Sequence, residues 1–149
     1  MLGETYDITP AGSGLAFTFK SVGPKGMIQK LVLFQWYDVD CFNLAFGDIV
    51  DGFLSDETVS NNRDFVKVLG TVAKCAYLFV EKHPGVILKI TPVDEGREML
   101  YNAVFKRHQK IIAEKFDIRG RIDESLEAYN PEKLYEEFEL KHKILHFCK

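Results

Sequence analysis

Leu15-Ala16-Phe17-Thr18-Phe19-Lys20-Ser21-Val22-Gly23-Pro24-Lys25-Gly26-Met27-Ile28-Gln29-Lys30-Leu31-Val32-Leu33-Phe34 is the stretch whose periodicity sets the fold class. Leu15, Phe17 and Phe19 alternate with small or polar residues, and Ile28, Lys30, Val32 and Phe34 resume the same period of two after Gly23-Pro24-Lys25-Gly26. Alternation places successive side chains on opposite faces of a strand, and the Gly-Pro-Lys-Gly element supplies turn chemistry, so the stretch predicts a β-hairpin. The second arm also carries Leu31, Leu33 and Trp36. Apolar residues at both parities are expected of a central strand with partial cover on both sides. A third strand follows with Phe42, Leu44 and Phe46 on one face, ending at Gly47-Asp48, and residues 49–60 read as a connecting loop.

Beyond that loop the period changes. Phe65, Val68, Leu69, Val72, Ala76, Phe79 and Val80 recur at spacings of three and four, the stripe of an amphipathic helix. Asn61 or Asn62 supplies a cap, Asp64 favours the positive end of the helix dipole, and His83-Pro84-Gly85 stops the helix. A short strand is expected at Val86–Ile90. A second helix is expected from about Asp94 to Lys115, with Leu100, Tyr101, Val104, His108, Ile111 and Ile112 on one side. In the tail, Phe138, Leu140, His142 and Ile144 alternate as a strand would, while Glu132 to Lys149 is also rich in helix formers; both readings stay open, and a strand near 135–142 is preferred. The expected architecture is α+β, an antiparallel sheet packed against two long α-helices in one layer pair.

The chain has 149 residues, of which 46% are hydrophobic and twelve are Phe, enough apolar surface for a core without disulfides or metal. With no repeats, low-complexity runs or linker-like breaks, it reads as one domain over 1–149, its core at about 15–120 and a C-terminal extension at 121–149 packing on that core. The formal net charge is −3, from 19 basic and 22 acidic side chains, which gives no overall attraction to nucleic acid or to an anionic membrane. No stretch approaches the roughly 18 consecutive apolar residues of a membrane span. The start lacks the basic and then apolar regions of a signal peptide, and a cytoplasmic location is the expectation. Cys41, Cys75 and Cys148 are widely spaced with no Cys-x-x-Cys pair, so reduced thiols are expected, with Cys75 packed in its helix.

The order Gly23-Pro24-Lys25-Gly26, Asn43-Leu44-Ala45-Phe46-Gly47-Asp48, Ser60-Asn61-Asn62-Arg63-Asp64 running into Lys67-Val68-Leu69, and Arg97 before Leu100-Tyr101 resembles a family of short uncharacterised bacterial proteins, a domain of unknown function. The resemblance spans about residues 15–120, and the Asn-Asn and Phe-Gly-Asp elements are its distinctive parts. It implies a shared fold and transfers no activity. Two departures stand out: Arg63 where Gly is expected after the paired asparagines, and Met99 where a second basic residue is expected after Arg97. An anion site built on two basic groups there would lack one of them.

Read for chemistry, the most suggestive constellation joins Asp48, Asn61, Asn62, Asp64, Lys67, Arg97 and Tyr101. These lie at a strand end and near two helix starts, where free amides and a guanidinium fork can hold carboxylate or phosphate. The competing structural reading makes Asn61, Asn62 and Asp64 helix caps, pairs Arg97 with an acidic neighbour and places Tyr101 in the core. His142 and His146 are four apart and near Cys148 but lack a fourth ligand, so no metal site is expected. His108 reads as a hydrogen-bonded histidine at the core edge rather than a base. Glu136-Glu137 and the Asp38/Asp40 pair read as solvated charge. Gly12-Ser13-Gly14 leads into strand residues rather than a helix, which excludes a dinucleotide fingerprint, and no phosphate loop, nucleophile elbow, His-Glu-x-x-His helix or kinase signature occurs. No cofactor is expected.

Charge is distributed unevenly. Residues 37–62 carry six acidic side chains and no Lys or Arg, whereas residues 97–121 carry seven basic against three acidic, with Lys106, Arg107 and Lys110 close together. Three functions follow. The first is a non-catalytic interaction or regulatory accessory module acting as a homo-oligomer or on a protein partner. The second is a small-ligand or anion binder, or an enzyme, at Asn61/Asp64/Arg97. The third is nucleic-acid binding through Lys106, Arg107 and Lys110, which lack the interleaved aromatics of a base-stacking surface.

Overall fold

The computed structural model describes residues 3–55 and 63–143, so Asn61, Asn62, His146 and Cys148 lie outside the described residues. The chain is α+β: β1 (Thr9–Ala11), β2 (Ala16–Gly23), β3 (Gly26–Asp38), β4 (Cys41–Val50), β5 (Phe53–Ser55), α1 (Phe65–Lys82), β6 (Ile87–Ile90), α2 (Glu95–Ile112), β7 (Phe116–Ile122), β8 (Ser125–Ala128) and β9 (Glu137–His142). It divides into two compact units, one of residues up to 35 with 44–79, the other of 36–43 with residues from 80 onward.

In the first unit the strand order is β1-β2-β3-β4, with β5 against β4. The expected hairpin is present: β2 and β3 pair antiparallel from Ala16↔Leu33 to Gly23↔Gly26. The Gly23↔Gly26 pairing leaves Pro24 and Lys25 as a two-residue turn, and Gly26 follows it at φ 86°, a left-handed conformation open to glycine at no steric cost. Phe17, Phe19, Val32 and Phe34 are buried. Phe34 stacks on Phe79 of α1, ring centroids 4.1 Å apart, and the buried Val68, Val72, Cys75 and Ala76 are the apolar stripe read from the sequence.

Three expectations change here. The third strand continues to Val50 and turns into β5, so part of the expected 49–60 loop is sheet. β1 adds a strand that the sequence reading lacked. Trp36 shares the parity of Val32 and Phe34 rather than that of Leu31 and Leu33, yet it is 68% exposed because β3 runs on past the end of its pairing with β2.

In the second unit the neighbours are β4-β6-β9-β7-β8. Cys41–Asn43 of β4 pair in parallel with Ile87–Lys89 of β6, so the sheet is mostly rather than wholly antiparallel; a helix between the two strands provides the long connection that a parallel pair requires. β9 occupies the expected C-terminal position, between β6 and β7. β7 and β8 are strands that the sequence reading lacked, although in β7 Phe116, Ile118 and Ile122 alternate with Asp117, Arg119 and Arg121 as a half-buried strand does.

α2 forms where expected but packs on a different side. Its buried residues are Asn102 and Phe105, whereas Leu100 and Ile111 are exposed. Asn102 donates to the Tyr135 carbonyl and accepts from the Tyr135 N–H, both at 2.8 Å, and Phe105 stacks on Phe138 at 4.1 Å. The doubly satisfied amide turns a polar residue inward, which hydrophobic periodicity does not register.

Cys75 is wholly buried, and that burial pushes its thiol up to about 12. The native thiol should resist alkylation at pH 8 and react once the chain is unfolded in denaturant. Linkage gives the sign for stability. The unfolded thiol ionises near 9.0 and the folded one does not, so this contribution is complete below pH 9 and is lost as pH rises toward 12. Equal alkylation rates in native and unfolded protein would contradict the packed position.

Candidate functional site

Polar side chains cluster in both units. In the first, Asp64 immediately precedes α1 and its carbonyl accepts from Val68 N at 2.9 Å, so Asp64 itself occupies the cap position expected of the asparagine pair. Its carboxylate faces away from the helix amides. Oδ2 accepts from Ser21 Oγ at 2.5 Å and from Tyr6 Oη at 2.6 Å, and Tyr6 Oη accepts in turn from Val22 N at 3.0 Å. Burial and the Asp64 carboxylate raise the Tyr6 phenol above its usual range. Lys67 places its ammonium over the Tyr6 ring, 4.3 Å from the centroid, and Thr71 Oγ1 accepts from Tyr6 N at 2.9 Å.

Asp48 is buried and bound to Lys30. Lys30 continues the parity of Val32 and Phe34, so its cation lies inside the sheet, where the Asp48 carboxylate offsets the cost of leaving water. Ser21 is fully buried, which closes its hydroxyl to an external acyl or phosphoryl group.

In the second unit, Arg97 is held by Asp94. Nη1 meets Asp94 Oδ2 at 2.6 Å, and Arg97 N donates to Asp94 Oδ1 at 2.7 Å while Asp94 caps α2. Tyr101 is partly buried on the same helix. Of the seven residues singled out, then, the structure joins Asp64 and Lys67 through Tyr6, ties Asp48 to Lys30 and Arg97 to Asp94. Lys106, Arg107 and Lys110 are all exposed on α2, and none takes part in the ion pairs among the described residues.

The larger cluster of the second unit was not anticipated. Glu137 accepts from Thr91 Oγ1 at 2.9 Å and Arg121 Nε at 3.1 Å and lies 3.5 Å from Lys89 Nζ; Arg121 Nη2 also reaches Glu139 at 3.2 Å. Glu137 is buried, which corrects its reading as solvated charge. Burial pulls the Lys89 ammonium down, but Tyr37 and Glu137 outweigh it and raise the group, and Tyr37 also offers its ring face at 4.2 Å. Glu137 and Glu139 likewise raise Arg121. Two cations and two carboxylates close on one another, so the array leaves no net charge for an ionic ligand. The period-two spacing of Glu137 and Glu139 against Phe138 and Leu140 was its only sequence signal.

Among the described residues no group of three or more His, Cys, Asp or Glu side chains is placed to hold a metal ion, and no helix is long and apolar enough to cross a membrane. No curated protein and no solved structure matches the chain. A family model matches residues 3–143, well past the 15–120 over which the motifs carried the resemblance, and the chain belongs to the Family of unknown function (DUF6934).

Proposed function

We propose that this chain is a non-catalytic interaction module, an accessory component that acts by binding a polypeptide. One observation carries the reading: every residue from Gln35 to Asp40 is exposed, including Trp36 at 68%, Tyr37 at 58% and Val39 at 79%. Large apolar side chains held out on a defined strand and turn are what an interface core is made of, and Trp and Tyr are enriched there. The arm is not frayed chain. Asp38 Oδ1 accepts from Val39 N at 2.7 Å, and the Asp40 carbonyl accepts from Ile87 N at the same distance.

A cytoplasmic setting fits this module, since Cys41 and Cys75 are both free thiols.

Native mass spectrometry of the gently purified protein tests the reading. The wild-type chain should carry additional polypeptide mass, and the Trp36→Ala/Val39→Ala variant should lose it while changing stability by less than about 0.5 kcal/mol, as exposed sites do. A single chain holding a discrete small-molecule mass, retained in that variant and lost in Arg97→Ala, would replace this reading with a ligand site.

A further inference from the structure

We propose that the polypeptide bound by this module is a second copy of the same chain, with the Trp36–Asp40 arm of each copy seated on the outer face of α2 of the other. The inference rests on the interaction-module reading and names its partner.

The receiving surface is a face of α2 that faces solvent. Met99, Ala103, Lys106 and Lys110 follow one another at spacings of four, three and four, and Leu100, Ala103, Arg107 and Ile111 follow at three, four and four, so both rows lie on the same side of the helix. All seven are exposed, Met99 at 74%. The face is therefore apolar at its two ends, at Met99/Leu100 and Ile111, with Lys106, Arg107 and Lys110 between and around them.

The arm is its chemical complement. Trp36, Tyr37 and Val39 offer apolar and aromatic surface, and Asp38 and Asp40 are its only charges. Asp40, Lys106, Arg107 and Lys110 enter no ion pair among the described residues, so both patches carry charge that no described ion pair takes up. Opposite signs on matched patches favour encounter with the right partner and penalise like-charged alternatives. Trp36 also provides the face over which a guanidinium such as that of Arg107 sits well.

Both patches belong to one compact unit and both remain exposed, so within a single chain neither covers the other. A second copy resolves this. When each arm occupies the partner's helix, the two contacts are related by a two-fold axis and the assembly closes as a dimer, whereas a one-way contact would propagate into a filament.

Trp36 is the only tryptophan, which gives the test an intrinsic probe. On concentration, sedimentation should move from one chain mass to two while the Trp36 emission shifts to the blue. Asp38→Lys/Asp40→Lys should weaken the dimer by roughly tenfold or more, the scale of close charge pairs across an interface. Lys106→Glu/Arg107→Glu should do the same, and the variant combining all four reversals should recover pairing. If that variant does not fold, the wild-type emission shift and its weakening by salt remain as readouts.

A dimer unaffected by either reversal, or one that forms with no change in Trp36 emission, would overturn the arm-on-helix pairing. A monomer at all concentrations would overturn self-pairing alone if Trp36→Ala/Val39→Ala still removes a different polypeptide, and would overturn the module reading as well if no polypeptide is retained. A monomer that binds a DNA or RNA oligonucleotide through Lys106, Arg107 and Lys110 would assign the basic face to nucleic acid and defeat the proposal.

Discussion

Asp48→Ala is expected to destabilise the protein by about 3–5 kcal/mol, because it leaves the Lys30 ammonium buried in the sheet without its carboxylate. The alanine leaves a small cavity, but the charge dominates: an ion whose partner is removed keeps the cost of leaving water and loses the attraction that offset it. The reciprocal change makes the argument specific. Lys30→Met/Asp48→Leu removes both charges and fills the space with apolar atoms, and replacing a whole buried pair in this way is often neutral or stabilising. Chemical denaturation of the wild type, Asp48→Ala and the double variant should thus give a large loss followed by near-complete recovery. A single variant that loses less than about 1 kcal/mol would mean that water or another group reaches Lys30. The same measurement bears on Asp48 as a ligand-binding residue, which would instead be expected to lose binding while the fold held.

Lys30 also shows how far the sequence could be read. A lysine within the period-two row Ile28, Val32, Phe34 is a charge on the buried parity and requires a partner, a conclusion available before any coordinates. The identity of that partner was not available, since Asp48 is 18 residues away and meets Lys30 only because β4 lies beside β3. Asp64 is similar. Its place before an amphipathic stripe was legible, whereas its use by Tyr6 and Ser21, 58 and 43 residues distant, depends on tertiary folding.

The regular elements divide along the same line. α1 and the β2/β3 hairpin were legible because their apolar residues keep strict periods. β7 keeps a period of two as well, with Phe116, Ile118 and Ile122 alternating with Asp117, Arg119 and Arg121, but the use of its charged face was not legible, since Arg121 answers Glu137 and Glu139 across the neighbouring strand. The packed side of α2 was misread because Asn102 is buried through the Tyr135 backbone, and the same misreading hid the exposed Leu100 and Ile111, on which the dimer proposal depends.

Gly120→Ala should be at least as damaging to the second unit as the loss of Asp48 is to the first. Gly120 lies in β7 opposite Phe138 of β9 and Glu127 of β8, and a β-carbon there would stand within 3 Å of the Cγ, Cδ1 and Cε1 atoms of Tyr135, the last at 2.6 Å. Such overlap is relieved only if the ring or the strand moves, and neither is free. Tyr135 has no exposed surface, and its N–H and carbonyl are both held by Asn102. Its Oη donates to Glu127 and accepts from Asn130 N, and its ring packs against Phe138 and Tyr129. Overpacking a core costs roughly 1–3 kcal/mol where neighbours can shift, so a ring fixed at both ends places this substitution at about 3 kcal/mol or beyond. Tyr135→Ala removes all three overlapping atoms and has its own cost from lost contacts and an unanswered Asn130 amide. The two changes should nevertheless couple: Gly120→Ala is expected to cost about 0.5–3 kcal/mol less in the Tyr135→Ala background than in the wild type. Strict additivity in that cycle would mean that the strand yields rather than the ring, and that the close approach of β7 to Tyr135 is not what reserves position 120 for glycine.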